Sequence, residues 1–120
     1  MDRQIDRYLP LRPRDYLILL ALAAEDLHGY ALIRAVDQAT NGRVRLDPAN
    51  LYRALRRLEH ADLVREAGHR AAGGPEDERR RYFSITSRGR KVVGAEAARQ
   101  ARMVEFARTH GILPGKERHA

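Results

Sequence analysis

The chain has 120 residues, 23 Lys and Arg against 16 Asp and Glu for a net charge of +7, 43% apolar residues and no cysteine. That length suits one domain, with a core large enough to fold alone and small enough to gain from a second copy. The absence of thiols excludes disulfides, thiolate catalysis and thiol redox sensing and fits a reducing cytoplasm, while the surplus charge favours an anionic partner, nucleic acid or an acidic membrane surface.

The opening MDRQIDRYLP is charged, and the longest apolar run, Tyr16 to Ala24, is too short for a bilayer, so neither an export signal nor a membrane span is expected. Pro13 opens RDYLILLALAAED, where Leu17, Leu20, Ala21 and Ala24 recur at helical spacing. A turn over residues 26–29 leads into YALIRAVDQAT, a second helix with its stripe on Leu32, Ala35, Val36 and Ala39, and Asn41-Gly42 stops it. Residues 43–46 alternate polar and apolar and predict a very short strand.

The third helix, DPANLYRALRRLEHADL from Asp47 to Leu63, carries its own start signal. Asp47 caps the free N–H groups of the first turn, and Pro48 sits where a missing donor costs nothing. Leu51, Leu55 and Leu58 face a core, while Asn50, Arg53, Arg56, Arg57 and His60 fall on the other side. Such a face is either solvated or offered to a polyanion. The chain takes nearly all its positive charge from Arg, with Lys91 and Lys116 its only lysines, so the helix alone leaves both readings open.

Past this helix the period becomes extended. Residues 63–67 and 81–85 are β-like, and GHRAAGGPEDERR between them predicts a hairpin with a long mobile tip. Thr86 or Ser87 can cap a final long helix, with one weak point at Gly94. From Arg79 to Arg102 eight Arg or Lys stand against Glu96 alone, so the positive surplus is concentrated. The last helix has two apolar sides: Val93, Ala97, Ala101 and Val104 form one near-heptad seam, and Val92, Ala95, Met103 and Phe106 lie on another. One small domain covers one side and a second chain covers the other, the alternative being a single wide stripe within the protomer. The expected division is a DNA-binding domain over 1–86, a dimerisation helix over 87–113 and a disordered tail over 114–120.

Three helices followed by a two-stranded hairpin is the order of the winged helix-turn-helix: mainly α with a small β-hairpin, here extended by a long C-terminal helix. The third helix of that fold enters the major groove, and the hairpin touches the backbone beside it. His28-Gly29-Tyr30, Leu51-Tyr52-Arg53-Ala54-Leu55 with Arg57-Leu58-Glu59, and Arg81-Tyr82-Phe83 running into Ile85-Thr86 and Gly89 together resemble the PadR family of bacterial transcriptional regulators, over about Leu17 to Val93. The resemblance implies a homodimeric DNA-binding repressor or regulator of the short type, with the C-terminal helix as dimer contact, operator DNA as partner and often a small-molecule response. Two departures matter. Ala49-Asn50 stands where many members have Gly-Thr or Gly-Ser, so base preference does not transfer, and with no tryptophan the stacked-Trp drug pocket of some short members is not available.

Asn50 and Arg53, on the first exposed turns, suit bidentate pairing with adenine and guanine. Tyr52, between the two faces, either packs under the wing or donates its hydroxyl to a phosphate. Arg56 and Arg57 suit phosphates, or ion pairs with Glu59 or Asp62, and Arg79 and Arg80 are the expected backbone contacts of the wing. Dimer contacts are expected at Val92, Val93, Ala97, Ala101, Val104 and Phe106, with Tyr8 and Tyr16 closing the sides. The small alanines leave room for a flat apolar or aromatic effector, or equally permit close helix packing. His28 marks a turn and pairs locally. The other histidines lack ligand spacing, and no phosphate loop, nucleophile elbow or HExxH sequence is present, so no metal, cofactor or enzymatic activity is expected. From another class, a winged-helix adaptor would dock a protein on the Asn50/Arg53/Arg57 face, where exposed apolar anchors are missing.

Overall fold

The computed structural model describes residues 3–68 and 81–114. The expected wing tip, Arg79 and Arg80, and residues 115–120 of the expected tail lie outside the described residues. In chain order the elements are α1 (Arg3–Asp6), α2 (Pro13–Ala24), β1 (Leu27–His28), α3 (Gly29–Ala39), α4 (Pro48–His60), β2 (Val64–Gly68), β3 (Tyr82–Ile85) and α5 (Ser87–Thr109). This is a winged helix with a long C-terminal helix.

Helices α3, α4 and α5 start at side-chain caps, whereas α2 starts at Pro13 without one. His28 Nδ1 accepts from Ala31 N at 3.3 Å, Asp47 from Asn50 N at 2.8 Å, and Thr86 Oγ1 from Gly89 N at 2.9 Å. Thr86 also donates its hydroxyl to the Asp62 carbonyl at 2.7 Å, tying the end of β3 and the start of α5 to the turn after α4. Gly89 completes this junction, because a Cβ there would run into the Leu63 carbonyl oxygen.

Three local expectations are corrected. On α2 the buried residues are Asp15, Ile18, Leu19 and Leu22, whereas Leu20 is 40% exposed and Ala24 is exposed; in a stretch apolar almost all round, spacing cannot choose the inner face. The sheet has three antiparallel strands in the order β1-β3-β2, not two: Leu27 pairs with Phe83 and His28 with Tyr82 on one edge, and Val64 with Ile85 on the other. Two residues are too few to show a period, so β1 reads as a turn in the sequence. Residues 43–46 form a loop, since the Val44 N–H is taken by the Thr40 hydroxyl at 3.0 Å instead of by a neighbouring strand.

Ile18, Leu19, Leu22, Leu32, Val36, Leu51, Leu55, Leu58, Leu63 and Phe83 form one core with Val92 and Val93 of α5. Each large side chain fully buried there stabilises the fold by roughly 1.5–3 kcal/mol. Val92 and Val93 are 0% and 5% exposed, so both are filled by the protomer's own core and neither is open to a second chain. Beyond Glu96 nothing on α5 is buried. At 1.5 Å per residue the helix is about 35 Å long, and its far half carries Met103, Val104 and Phe106 at 49%, 43% and 66% exposure.

Candidate nucleic-acid interface

α4 is positioned by its inner stripe and organised at its outer end by its cap. Asp47 Oδ1 accepts from the Asn50 backbone N–H, Asp47 Oδ2 accepts from Asn50 Nδ2 at 3.0 Å, and Asn50 Oδ1 accepts from an Arg53 guanidinium nitrogen at 2.9 Å. The cap is thus relayed through the Asn50 amide to Arg53. Leu51, Ala54, Leu55 and Leu58 are buried, so at 100° per residue Ala49, Arg53, Arg56 and His60 point straight outward. Tyr52 and Glu59 flank that row on one side, Asn50 and Arg57 on the other.

The two flanks lean on different neighbours. Tyr52, 37% exposed, packs edge-on against Phe83 of β3 with ring centroids 6.3 Å apart, and the Arg81 guanidinium lies 5.9 Å from its ring centre. A Cβ on Gly29 would meet the Tyr52 hydroxyl, so the glycine is what lets the ring lie there. Of the two arrangements expected for Tyr52, packing beneath the wing is therefore present. Arg81 itself is engaged by both oxygens of Glu66, at 3.0 and 3.1 Å, which raises its pKa further.

On the opposite flank Arg57 reaches neither Glu59 nor Asp62. It donates to Asp15 Oδ1 of α2 at 2.7 Å, and Asp62 instead lies 3.7 Å from Arg88. Burial raises the pKa of Asp15 against the opposing pull of Arg57 and Arg12. Between the start of α2, the loop joining α3 to α4 and this flank of α4 lies a cleft of about 690 Å³, lined by Arg12, Arg14, Arg43, Arg45, Arg53 and Arg57, with Asn50, Asp15, Pro13, Val44 and Ala54. Sequence reasoning missed the first four of these arginines. Their only signal is the pair of doublets Arg12-Pro13-Arg14 and Arg43-Val44-Arg45, each beside a helix start.

Residues 18–95 match the PadR-like family of transcriptional regulators. The chain belongs to this family. A curated relative, an uncharacterized 37.1 kDa protein in a transposon of Streptomyces fradiae, is 41% identical over 87 residues, covering 72% of this chain; the match covers 23% of the relative's own length. Among solved structures, a transcriptional regulator from Clostridium thermocellum superposes with a TM-score of 0.64 at 20% identity, covering 91% of this chain and 96% of that one. Lactococcus lactis ZitR, solved as a mutant in complex with DNA, superposes with a TM-score of 0.61 at 20% identity, covering 86% and 62%.

In this PadR-like chain the segments that carry the resemblance meet in space: His28 and Gly29 sit against Tyr82 and Tyr52, with the His28 and Tyr82 rings edge-on at 5.4 Å. Away from the α4 face, Glu96 is fully buried. It accepts from Arg99 at 2.6 Å, Gln100 at 2.9 Å and the Leu11 backbone N–H at 3.1 Å. These donors, Arg99 above all, hold its carboxyl down at about 2. The one acid in the basic stretch thus anchors α5 to the segment before α2. Among the described residues no group of His, Asp and Glu could hold a metal ion, and no helix is long and apolar enough to cross a membrane.

Proposed function

We propose that this PadR-like regulator binds operator DNA as a homodimer in the cytoplasm and represses by blocking polymerase, with no catalytic step. α4 enters the major groove. Arg53, aligned by Asn50, reads a guanine edge, and Asn50 is placed to pair with a neighbouring adenine once its amide lets go of Asp47. Arg56, Arg57 and the Tyr52 hydroxyl take phosphates, joined at the wing by Arg79 and Arg80. The reading is carried by the outward row on α4, polar and cationic, with Arg53 pre-aligned from the helix cap; the ZitR neighbour, captured on DNA, supports it.

The second copy is proposed for the far half of α5, where Ala101, Val104 and Phe106 are exposed and Ala97 is half-buried. A two-fold dimer on that helix would set two copies of α4 about one DNA turn, ~34 Å, apart and require a palindromic operator. A small apolar or aromatic effector would act by favouring one spacing of the two helices. Candidate room for it is the groove of about 620 Å³ between α1 and α5, whose apolar lining is Ile5, Leu9, Ala95 and Ala98.

Selection of the full-length protein on random duplexes, followed by salt titration of the winner, tests this. The expected result is a palindrome whose affinity falls by roughly 0.9 log units per log unit of salt for each phosphate engaged. A flat salt response, or no enriched sequence, would contradict it. Aromatic compounds titrated against the complex should release operator and raise the melting temperature if the effector site exists.

A further inference from the structure

The cleft beside α4 gathers six guanidinium groups around a single carboxylate, Asp15, which is already committed to Arg57. Arg12, Arg14 and Arg43 are exposed and make no ion pair among the described residues, and Arg45, its side chain 79% exposed, reaches only Asp37 at 3.3 Å. Like charges brought to one wall repel, so the arrangement is relieved by an anion that enters it. Guanidinium forks match phosphate oxygens in geometry as well as charge.

We infer that this cleft is a second seat for the DNA backbone, clamping the phosphates of the strand that flanks the base pairs under α4. The inference rests on the DNA-binding reading above. It is drawn to duplex DNA over a free phosphate compound because Asn50, Arg53 and Arg57 belong both to the cleft wall and to the presenting side of α4. A duplex laid on α4 therefore runs one strand past Arg14 and Arg43. The cleft grips without reading: its contacts are to phosphates and carry no base information. Asp15 acts as an internal competitor there, because the phosphate that takes Arg57 must share it with this carboxylate.

The test uses the full-length protein, its selected duplex and a scrambled duplex. The double variant Arg14→Ala/Arg43→Ala is expected to bind both duplexes more weakly, by about ten-fold or more, and to shallow the dimer's salt slope by about 3.6, two contacts in each protomer at 0.9 each, with melting temperature and base preference unchanged. Asp15→Asn, which keeps an acceptor for Arg57 and removes the charge, is expected to tighten both duplexes several-fold. An unchanged slope and affinity in the double variant, while Arg53→Ala still loses its duplex, overturns the cleft and leaves the DNA reading standing. Loss of preference at one base pair overturns it too, by making the cleft a reading element. If inorganic phosphate binds the cleft at micromolar concentration and the double variant loses only that binding, the seat belongs to a small anion. Failure of the unsubstituted protein to bind any duplex removes both proposals together.

Discussion

Two surfaces of this molecule are left uncovered by its own core, and they differ in chemistry. The outward row of α4 is polar and cationic, and its best-placed side chain is held by a relay from the helix cap, Asp47 to Asn50 to Arg53. The far half of α5 exposes apolar side chains among its charged ones, Met103 and Phe106 on one side and Val104 on another, with Ile112 at 76% just beyond the helix. Water solvates the first surface well, so it is stable uncovered and can exchange water for phosphate and base edges. It solvates the second poorly, so burying it against like surface is favourable by roughly 25 cal/mol per Å². A scaffold of this size can therefore direct two kinds of partner by the composition of two helix faces.

The largest expected effect separates the two faces. Val104→Asp/Phe106→Asp should give monomers by light scattering and weaken operator binding by about 10²–10⁴, the avidity lost when two half-sites no longer act together. Each protomer should stay folded, since neither side chain is buried in its own core, while the melting temperature should fall to the monomer's value and lose its dependence on protein concentration; a dimer that survives the change would remove the contrast.

Next comes the joint between the halves of α5. Glu96→Ala leaves Arg99, Gln100 and the Leu11 N–H without their acceptor and should cost about 3 kcal/mol of stability in a denaturant melt. Because the carboxyl titrates near 2 in the fold and at an ordinary value once unfolded, its stabilisation is complete above about pH 5 and is lost as pH falls towards 2. The unsubstituted protein should therefore lose its advantage over Glu96→Gln only on the acid side, and an advantage independent of pH would mean the carboxylate is not the anchor.

Smaller still are the changes within the α4 row. Arg53→Ala should cost roughly 1–3 kcal/mol of operator affinity per half-site and relax preference at one base pair in each, without touching the dimer. Asn50→Ala, which frees the Arg53 side chain, should cost about 1 kcal/mol by the loss of one aligning hydrogen bond. Equal losses in gel-shift titrations would make Asn50 a reader in its own right and not chiefly an aligner.

What could be read from the sequence was local. Asp47 and Thr86 cap helices within three residues of themselves, and the leucines of α4 repeat within one turn, so those two caps, both faces of α4 and the winged order were legible from spacing, whereas His28 reads only as a turn residue with a local partner. The inner face of α2 was not, because Ile18, Leu19 and Leu22 sit among equally apolar neighbours and only the shape of the packed core selects them. Nor was the fate of Val92 and Val93: they head the two apolar sides of α5, and the core took both, at the end of the helix where Gly89 lies against Leu63. The pairing of Arg57 with Asp15 and of Glu96 with Leu11 spans 42 and 85 residues. No spacing rule reaches that far. The arginine cleft likewise exists only once α2, the loop before α4 and α4 itself are packed together, because a charge cluster drawn from separate segments is a property of distances in space, which the chain acquires by folding.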